Sequence, residues 1–492
     1  MNSRNQSFRF VVIGRCALAF AIAWSLAGLT SARAEDTART FNAGAFAIDI
    51  TPTKFPVSSN GNMSDHQVTG AHDPLHARCL VLYDGSTKLA IVVCDSCMIP
   101  REIFDTARQQ AEKATGIPAS NILCSATHTH SAVTVAGVFQ SEPEVEYRSF
   151  LADRIAAGIA QAHSQLEPAK IGWGSASDPT QVFNRRWFMK PEYDLADPLD
   201  IGKDRVRMNP PRGSDLLDKP SGPIDPEIGF VSVIARDGRP IALLANYSLH
   251  YVGGIPGGLL SADYFGEFAQ RIAQRLNATN VKPAFVGIMS NGTSGNINNI
   301  DFSAKSSPKR EPFEQIQVVA TSVADATYRA WQKIEHRDWV PLKSVDTEVE
   351  LGVRRPDAEN LAHAKQLLAE AGAGPYRDRR HVYARESVLL ADYPATMTAR
   401  LQAIQIGDLG IVSSPCETFV ETGLSIKEQT PFKQSFTIEL ANGYNGYLPT
   451  PEHHALGGYE TWRARSSYLA VDAEPKVRAT QLKLLGKLAN TQ

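Results

Sequence analysis

Six cysteines in 492 residues are too few for a disulfide-built scaffold. Cys16 falls in a leader-like start, and the others, Cys79, Cys94, Cys97, Cys124 and Cys416, form an odd set that leaves at least one thiol unpaired even in an oxidising compartment. Cys94 and Cys97 make a C-x-x-C, but Cys94 completes the apolar run Leu89-Ala90-Ile91-Val92-Val93 instead of opening a helix. A buried thiol or a structural disulfide is expected there, not a redox motif. Basic blocks are missing as well: acids and bases are interspersed and the formal net charge is −2, which excludes the electrostatic footprint of a nucleic-acid partner. Beyond Ala34 no apolar run is long enough to cross a bilayer. Internal repeats and low-complexity tracts are also absent.

With 43% hydrophobic residues, a chain of this length can bury a large core. Its start reads as a secretory leader. Arg4, Arg9 and Arg15 make a basic opening, Cys16 to Thr30 an apolar stretch, and Ala32-Arg33-Ala34 a small-residue cleavage site. Export to the periplasm or medium after cleavage near Ala34 is the expectation, with 35–492 as one large catalytic domain. Strand and helix signals then alternate. Ala77 to Tyr83 and Leu89 to Cys94 read as a hairpin turning at Asp84-Gly85, Pro100 to Thr115 as an amphipathic helix stopped by Gly116, Asn121 to Ala126 as a buried strand, and Glu144 to Leu166 as a long helix. Further strands are expected at Phe230 to Ile234, Pro240 to Ser248, Ala284 to Met289, Met397 to Ile406 and Leu409 to Ser413. Helices are expected at Asp263 to Leu276, Pro312 to Ile334 and Glu474 to Leu488. This order points to an α/β fold of mixed β-sheets layered with helices. Residues 190–224 dissolve into Pro, Asp, Gly and Lys, as a functional loop or lid does, and 345–390 mix signals in the manner of a peripheral insertion.

The chemistry-bearing residues cluster at strand ends. Thr127-His128-Thr129-His130-Ser131 follows the strand 121–126, and a period of two would aim both imidazoles to one side. One can then bind zinc while the other contacts water or substrate, although an isolated His-x-His more often hydrogen-bonds in a polar turn. His250 ends the strand of Asn246-Tyr247-Ser248-Leu249, and Glu417 follows Ser413-Ser414-Pro415. Alone, the first would be a satisfied semi-buried histidine and the second a helix N-terminal charge. Tyr447 and Tyr459 lie in the Gly-rich runs Gly443-Tyr444-Asn445-Gly446-Tyr447 and Gly457-Gly458-Tyr459-Glu460, where aromatics pack or touch substrate. Cys416 is a second nucleophile candidate without an identifiable base.

Taken in order, Thr-His-Thr-His-Ser, the strand-end His250, Pro415-Cys416-Glu417-Thr418, and Gly446-Tyr447 with Tyr459-Glu460 resemble the neutral/alkaline non-lysosomal ceramidases, zinc amidases that cleave the N-acyl bond of ceramide. Asp49-Ile50-Thr51-Pro52, His76-Ala77-Arg78, Asp95, Asn184-Arg185-Arg186 and Asp225-Pro226 add to the likeness, which runs from about Gly44 to about Trp462. The resemblance implies zinc (Zn2+) ligands at His128, His250, Glu417 and Tyr447, with His130, Arg185 and Tyr459 lining the catalytic pocket. His130 would move a proton and Arg185 or Tyr459 would stabilise an oxyanion.

Two departures stand out. The family's proposed catalytic serine lies in a Gly-Asp-x-Ser-Pro-Asn segment. In the comparable stretch here, Ser290 to Asn299, Asn298 takes the serine's place and Asn296 the aspartate's, with Ser294 as the alternative in another register. An amide is no nucleophile but can donate to an oxyanion, so hydrolysis would run through zinc-activated water. The family's C-terminal immunoglobulin-like domain has no counterpart after Tyr459. The expected function is therefore an exported zinc hydrolase cleaving an amide of a small-molecule or lipid-like acyl substrate. An esterase, lactonase or carbohydrate deacylase on the same site is one alternative, and a non-catalytic lipid- or carbohydrate-binding protein is another.

Overall fold

The computed structural model describes residues 39–195, 197–198 and 204–490. The leader expected at 1–34 lies outside them. The largest sheet has eight strands: β1 (Asn42–Asp49), β2 (His76–Tyr83), β3 (Lys88–Cys94), β4 (Ile122–Ala126), β5 (Glu167–Ser177), β6 (Glu227–Ala235), β7 (Pro240–Tyr247) and β8 (Val286–Asn291). Their spatial order is β8-β7-β6-β5-β1-β2-β3-β4. All neighbours are antiparallel except β3–β4 and β7–β8, which are parallel. Each parallel pair is spanned by a helix, α1 (Arg101–Thr115) in one half and α3 (Asp263–Arg275) in the other, and each half continues into a further helix, α2 (Val145–Ser164) and α4 (Glu314–Trp331). The sheet is thus two four-stranded halves of identical connectivity, joined where β1 meets β5. Sequence similarity does not betray this repetition.

Side-chain alternation explains the layering. In β3, Ala90, Val92 and Cys94 face the apolar stripes of α1 and α2, among them Phe104, Ala107, Leu151 and Ile155. Leu89, Ile91 and Val93 face the opposite way, into a core shared with Val231 and Val233 of β6 and Ala242 and Leu244 of β7. Phe230 and Leu243, one step out of phase, pack on Phe265, Phe268 and Val319 of α3 and α4. Burial on both faces is why these strands read as continuous apolar runs. The sheet curls until β8 comes within 8 Å of β2, β3 and β4.

A second sheet completes the shared core: β9 (Leu342–Gly352), β10 (Thr396–Ile406), β11 (Leu409–Ser413) and β12 (Gln434–Ile438), in that order. Ile404, Ile406, Ile411 and Ile438 contribute to it. Residues 345–390 supply most of β9 and the helices Ala358–Ala371 and Arg379–Ala391. Within 190–224, Val206–Met208 and Leu217–Pro220 form a small three-stranded sheet with Arg186–Met189. The architecture is α/β, as expected. The five described cysteines are free and buried, so Cys94 and Cys97 are thiols. No helix among the described residues is long and apolar enough to cross a membrane.

The segment after β12 joins the two edges of the curled sheet. Glu439 N–H donates to Asn291 O (3.1 Å), Leu440 O accepts from Ala126 N–H (3.1 Å), and Asn442 N–H donates to Cys124 O (2.7 Å). The ends of β4 and β8 are thereby held side by side. Near the end of β3, Asp95 accepts from Arg78 Nη1 with both oxygens at 2.6 Å, and from His76 N–H at 2.8 Å. Both side chains are buried. Arg78→Met leaves that carboxylate without its counter-charge and is expected to cost about 3–5 kcal/mol in urea unfolding, with Arg78→Met/Asp95→Leu recovering part of the loss.

Candidate metal centre

His128 leaves β4 under tension. Thr127 N–H donates to Cys94 O and His128 N–H to Ser96 O, each at 2.9 Å, and His128 takes φ 75°, a left-handed conformation costly for a non-glycine residue. Strand alternation is therefore not what brings the two histidines together. Both lie beyond the strand, and the turn at His128 places His130 Nε2 3.1 Å from His128 Nε2. His250, beyond β7, brings its Nε2 to 3.0 Å from His128 Nε2. Glu417 Oε2 lies 3.3 Å from the first of these nitrogens and 3.6 Å from the second.

The tautomers decide what this cluster needs. His128 Nδ1 faces Cys97 O at 2.8 Å and His250 Nδ1 faces Ser294 O at 3.2 Å. A carbonyl only accepts, so both Nδ1 atoms carry the proton and both Nε2 atoms present lone pairs. Glu417 Oε2 is buried without a hydrogen-bond partner. With both rings neutral, three electron pairs converge, an arrangement a cation resolves; without one, a proton on His128 beside Glu417 does so. Donors about 2 Å from a tetrahedral ion lie about 3.3 Å from one another, which matches the observed spacing. Two groups of ligand-type side chains meet among the described residues, Cys97 with His128 and His130, and His128 with His250 and Glu417, of which the second is fully buried.

Tyr447 joins through backbone register. Glu417–Thr418 and Tyr447–Leu448 form a parallel ladder with Glu417 directly opposite Tyr447, and the Tyr447 ring stacks 6.5 Å from that of His250. Its hydroxyl accepts from Arg185 Nη2 at 3.1 Å. Arg185 also donates from Nη2 to Gly295 O and from Nε to Glu460 Oε1, which leaves Nη1 outside all of these bonds. Tyr459 packs edge-on against Tyr447, with ring centroids 5.9 Å apart. His130 stacks on Tyr251 at 3.7 Å.

Electrostatics differ sharply across the cluster. Burial disfavours a charged His128 while the Glu417 carboxylate favours it, and the balance lies well above the ordinary imidazole value. Burial, then the Arg185 charge and the neighbouring histidines, hold His250 well below it. Burial and the charges of His128 and Arg185 do the same to His130. Cys416 is buried, and desolvation reinforced by Glu439 and Glu417 raises its thiol pKa far above the usual range, so it stays a protonated thiol.

The serine question has a geometric answer. Ser294 Oγ sits 3.4 Å from His250 Nδ1 and donates to Glu439 Oε1 at 2.6 Å, so it stands behind the imidazole, away from the face where the electron pairs meet. Asn298 donates from Nδ2 to Asn209 Oδ1 (2.8 Å) and accepts from Ile300 N–H (2.9 Å), in the wall of a cavity that also contains Arg185. Asn296 bonds Glu421 and Val420 N–H.

Four further residues hold the cluster in place. Asn291 Nδ2 donates to both Thr127 O and His250 O at 3.2 Å, clamping the two histidine-bearing segments. Tyr444 OH donates to Glu417 Oε1 at 2.9 Å. Glu439 receives Ser294 N–H and Thr418 N–H, and Glu460 pairs with Arg185 and Arg186. Asn291, Tyr444 and Glu460 lie in stretches that the sequence marks out, and Glu439 does not.

With this geometry established, known structures offer a comparison. The neutral ceramidase from Pseudomonas aeruginosa superposes with a TM-score of 0.70 at 18% identity, over 92% of this chain and 75% of that one. The chain has a neutral ceramidase-like fold. A ceramidase complexed with C2 matches with a TM-score of 0.68 at 17% identity, over 92% and 76% of the respective chains. No protein-family model matches the sequence, and comparison with curated proteins finds no match.

Two outcomes follow for this ceramidase-like scaffold. Asn291→Ala removes the clamp and is expected to weaken divalent-metal affinity by ~10–100-fold, read by chelator competition. Burial pushes the Glu439 carboxyl up to about 8 from its ordinary 4.5, so the folded state holds this proton where the unfolded state has lost it. Stability of metal-depleted protein should fall as pH rises through that window, and the slope of the urea midpoint against pH should be shallower in Glu439→Gln.

Proposed function

We propose that this protein is an exported, zinc-dependent hydrolase that cleaves an amide (N-acyl) bond. The observation that carries the reading is the convergence of two imidazole lone pairs and an orphaned carboxylate oxygen on one point, with a phenol alongside. Two neutral imidazoles and a carboxylate are a common catalytic zinc set, and the donor set includes no thiolate. Zinc held there acidifies water and polarises a carbonyl.

The chain's own groups supply the rest. Arg185, buried and oriented by Glu460, directs its uncommitted Nη1 toward the developing oxyanion, with Tyr459 as the neighbouring hydroxyl. His130 stays neutral, because burial and the charges of His128 and Arg185 hold its pKa well below the ordinary imidazole value, and its unprotonated ring nitrogen takes the proton from the attacking water and returns it to the leaving nitrogen. The water oxygen bonds to the acyl carbon, the C–N bond breaks, and carboxylate and amine are released. Asn298 serves the cavity wall through Asn209, and Ser294 orients His250. The fold shared with ceramidases supports an acyl substrate, small or lipid-like, and the leader-like start supports export.

Elemental analysis tests the centre. His128→Ala and His250→Ala should each reduce bound zinc to a small fraction of wild type, and full occupancy in both variants would end the proposal. Against a panel of N-acyl amides, esters and lactones, hydrolysis should be chelator-sensitive and strongest on amides. Arg185→Met should lower kcat by about 10²–10³ at unchanged zinc content. Zinc binding without turnover of any member would indicate a binding protein instead.

A further inference from the structure

A cavity of about 470 Å³ adjoins the candidate metal centre and shares Arg185 and Tyr251 with it, a size typical of small-molecule sites. Its lining is unbalanced in charge. Three guanidinium groups, Arg185, Arg212 and Arg310, accompany one carboxylate, Asp301. Arg185 is matched by Glu460 and Arg310 by Glu314, while Asp301 is engaged by Ser303 N–H and Oγ. Arg212 is half-buried and has no hydrogen-bond or ion-pair partner among the described residues.

An unpaired surface arginine usually swings freely, but the backbone carrying this one is fixed on both sides. Asn209, at φ 48°, donates its N–H to Arg185 O at 2.8 Å, and its side chain accepts from Asn298. Gly213, at φ 63°, donates its N–H to Phe302 O at 2.8 Å. A Cβ there would come within 2.7 Å of Lys305 Cα, so the two loops touch backbone to backbone. The structure orders this segment around a cation that no described residue neutralises. A guanidinium so placed suits carboxylate or phosphate, which it can meet with paired N–H donors.

We infer that the cavity selects N-acyl substrates bearing an anionic group, carboxylate or phosphate, away from the scissile bond, with Arg212 as the specificity-determining residue. The inference rests on the proposed N-acyl hydrolase reading. A neutral N-acylated sphingoid base would leave Arg212 unmatched.

Matched probes test it. N-hexanoylglycine is compared with N-hexanoylglycinamide, and N-hexanoyl-O-phosphoethanolamine with N-hexanoylethanolamine. At least one acid should show a KM about tenfold or more below its neutral partner. Arg212→Met should erase that advantage at unchanged kcat and leave the neutral probes unaffected, while Arg212→Lys keeps part of it. The pair with the larger Arg212-dependent ratio identifies the anion. Calorimetric titration of the same acids into metal-depleted protein should lose about tenfold in affinity in Arg212→Met, a readout independent of turnover. If neutral probes are cleaved as well as acids and Arg212→Met changes neither ratio nor binding, the inference is overturned while the hydrolase reading stands. If no probe is cleaved by zinc-loaded protein yet acids bind through Arg212, the hydrolase reading fails and the anion site remains.

Discussion

Two imidazole nitrogens and a carboxylate oxygen converge on one buried point, where either a metal cation or a proton on His128 must relieve their mutual repulsion. In a buried setting that repulsion is weakly screened. The surrounding hydrogen bonds supply the restraint: Cys97 O and Ser294 O fix the tautomers, Tyr444 holds one carboxylate oxygen so that the other projects, and Asn291 ties both histidine segments to the end of β8. A site held this firmly is organised before an ion arrives, as metal centres built on strands tend to be. The strained turn at His128 belongs to the same economy, because the backbone tolerates it only where neighbours over-determine it.

The charges around the centre are arranged in relays. Glu460, fully buried, holds Arg185 and Arg186 together, and Arg185 passes from that pair to the Tyr447 hydroxyl on one side and the open cavity on the other. One side chain therefore couples the candidate ligand set to the region where a substrate would lie. Glu439 works behind His250 through Ser294, a carboxylate kept mostly protonated near neutrality by its burial. The centre is thus bordered by one fixed positive charge toward the cavity and by groups of reduced charge toward the core.

Much of this was legible in the sequence, for reasons that vary by residue. The strands around His128 and His250 carry uninterrupted apolar runs because helices cover one face and the shared core the other. The strand β5 left no such trace. Gly172 and Gly174 lie against the end of α4, where a Cβ would meet Glu335 O at 2.6 Å and Ile334 at 2.8 Å, so close packing removed the side chains that mark a strand. The strand β9 was hidden by Asp346, Glu348 and Glu350, exposed charges on the edge of its sheet. The ligand candidates stood out because histidine pairs are rare. Asn291 and Glu439 are ordinary polar residues whose roles exist only once β4, β8 and β12 meet. The register of residues 290–299 was likewise open until the backbone showed Ser294 behind His250 and Asn298 in the cavity wall.

The seam formed by residues 439–442 has one more implication. It ties the last strand of the second sheet to the edges of both halves of the first, so the candidate ligands are assembled only when segments hundreds of residues apart have docked. A cation bound at that point would therefore favour the docked arrangement over the unfolded chain.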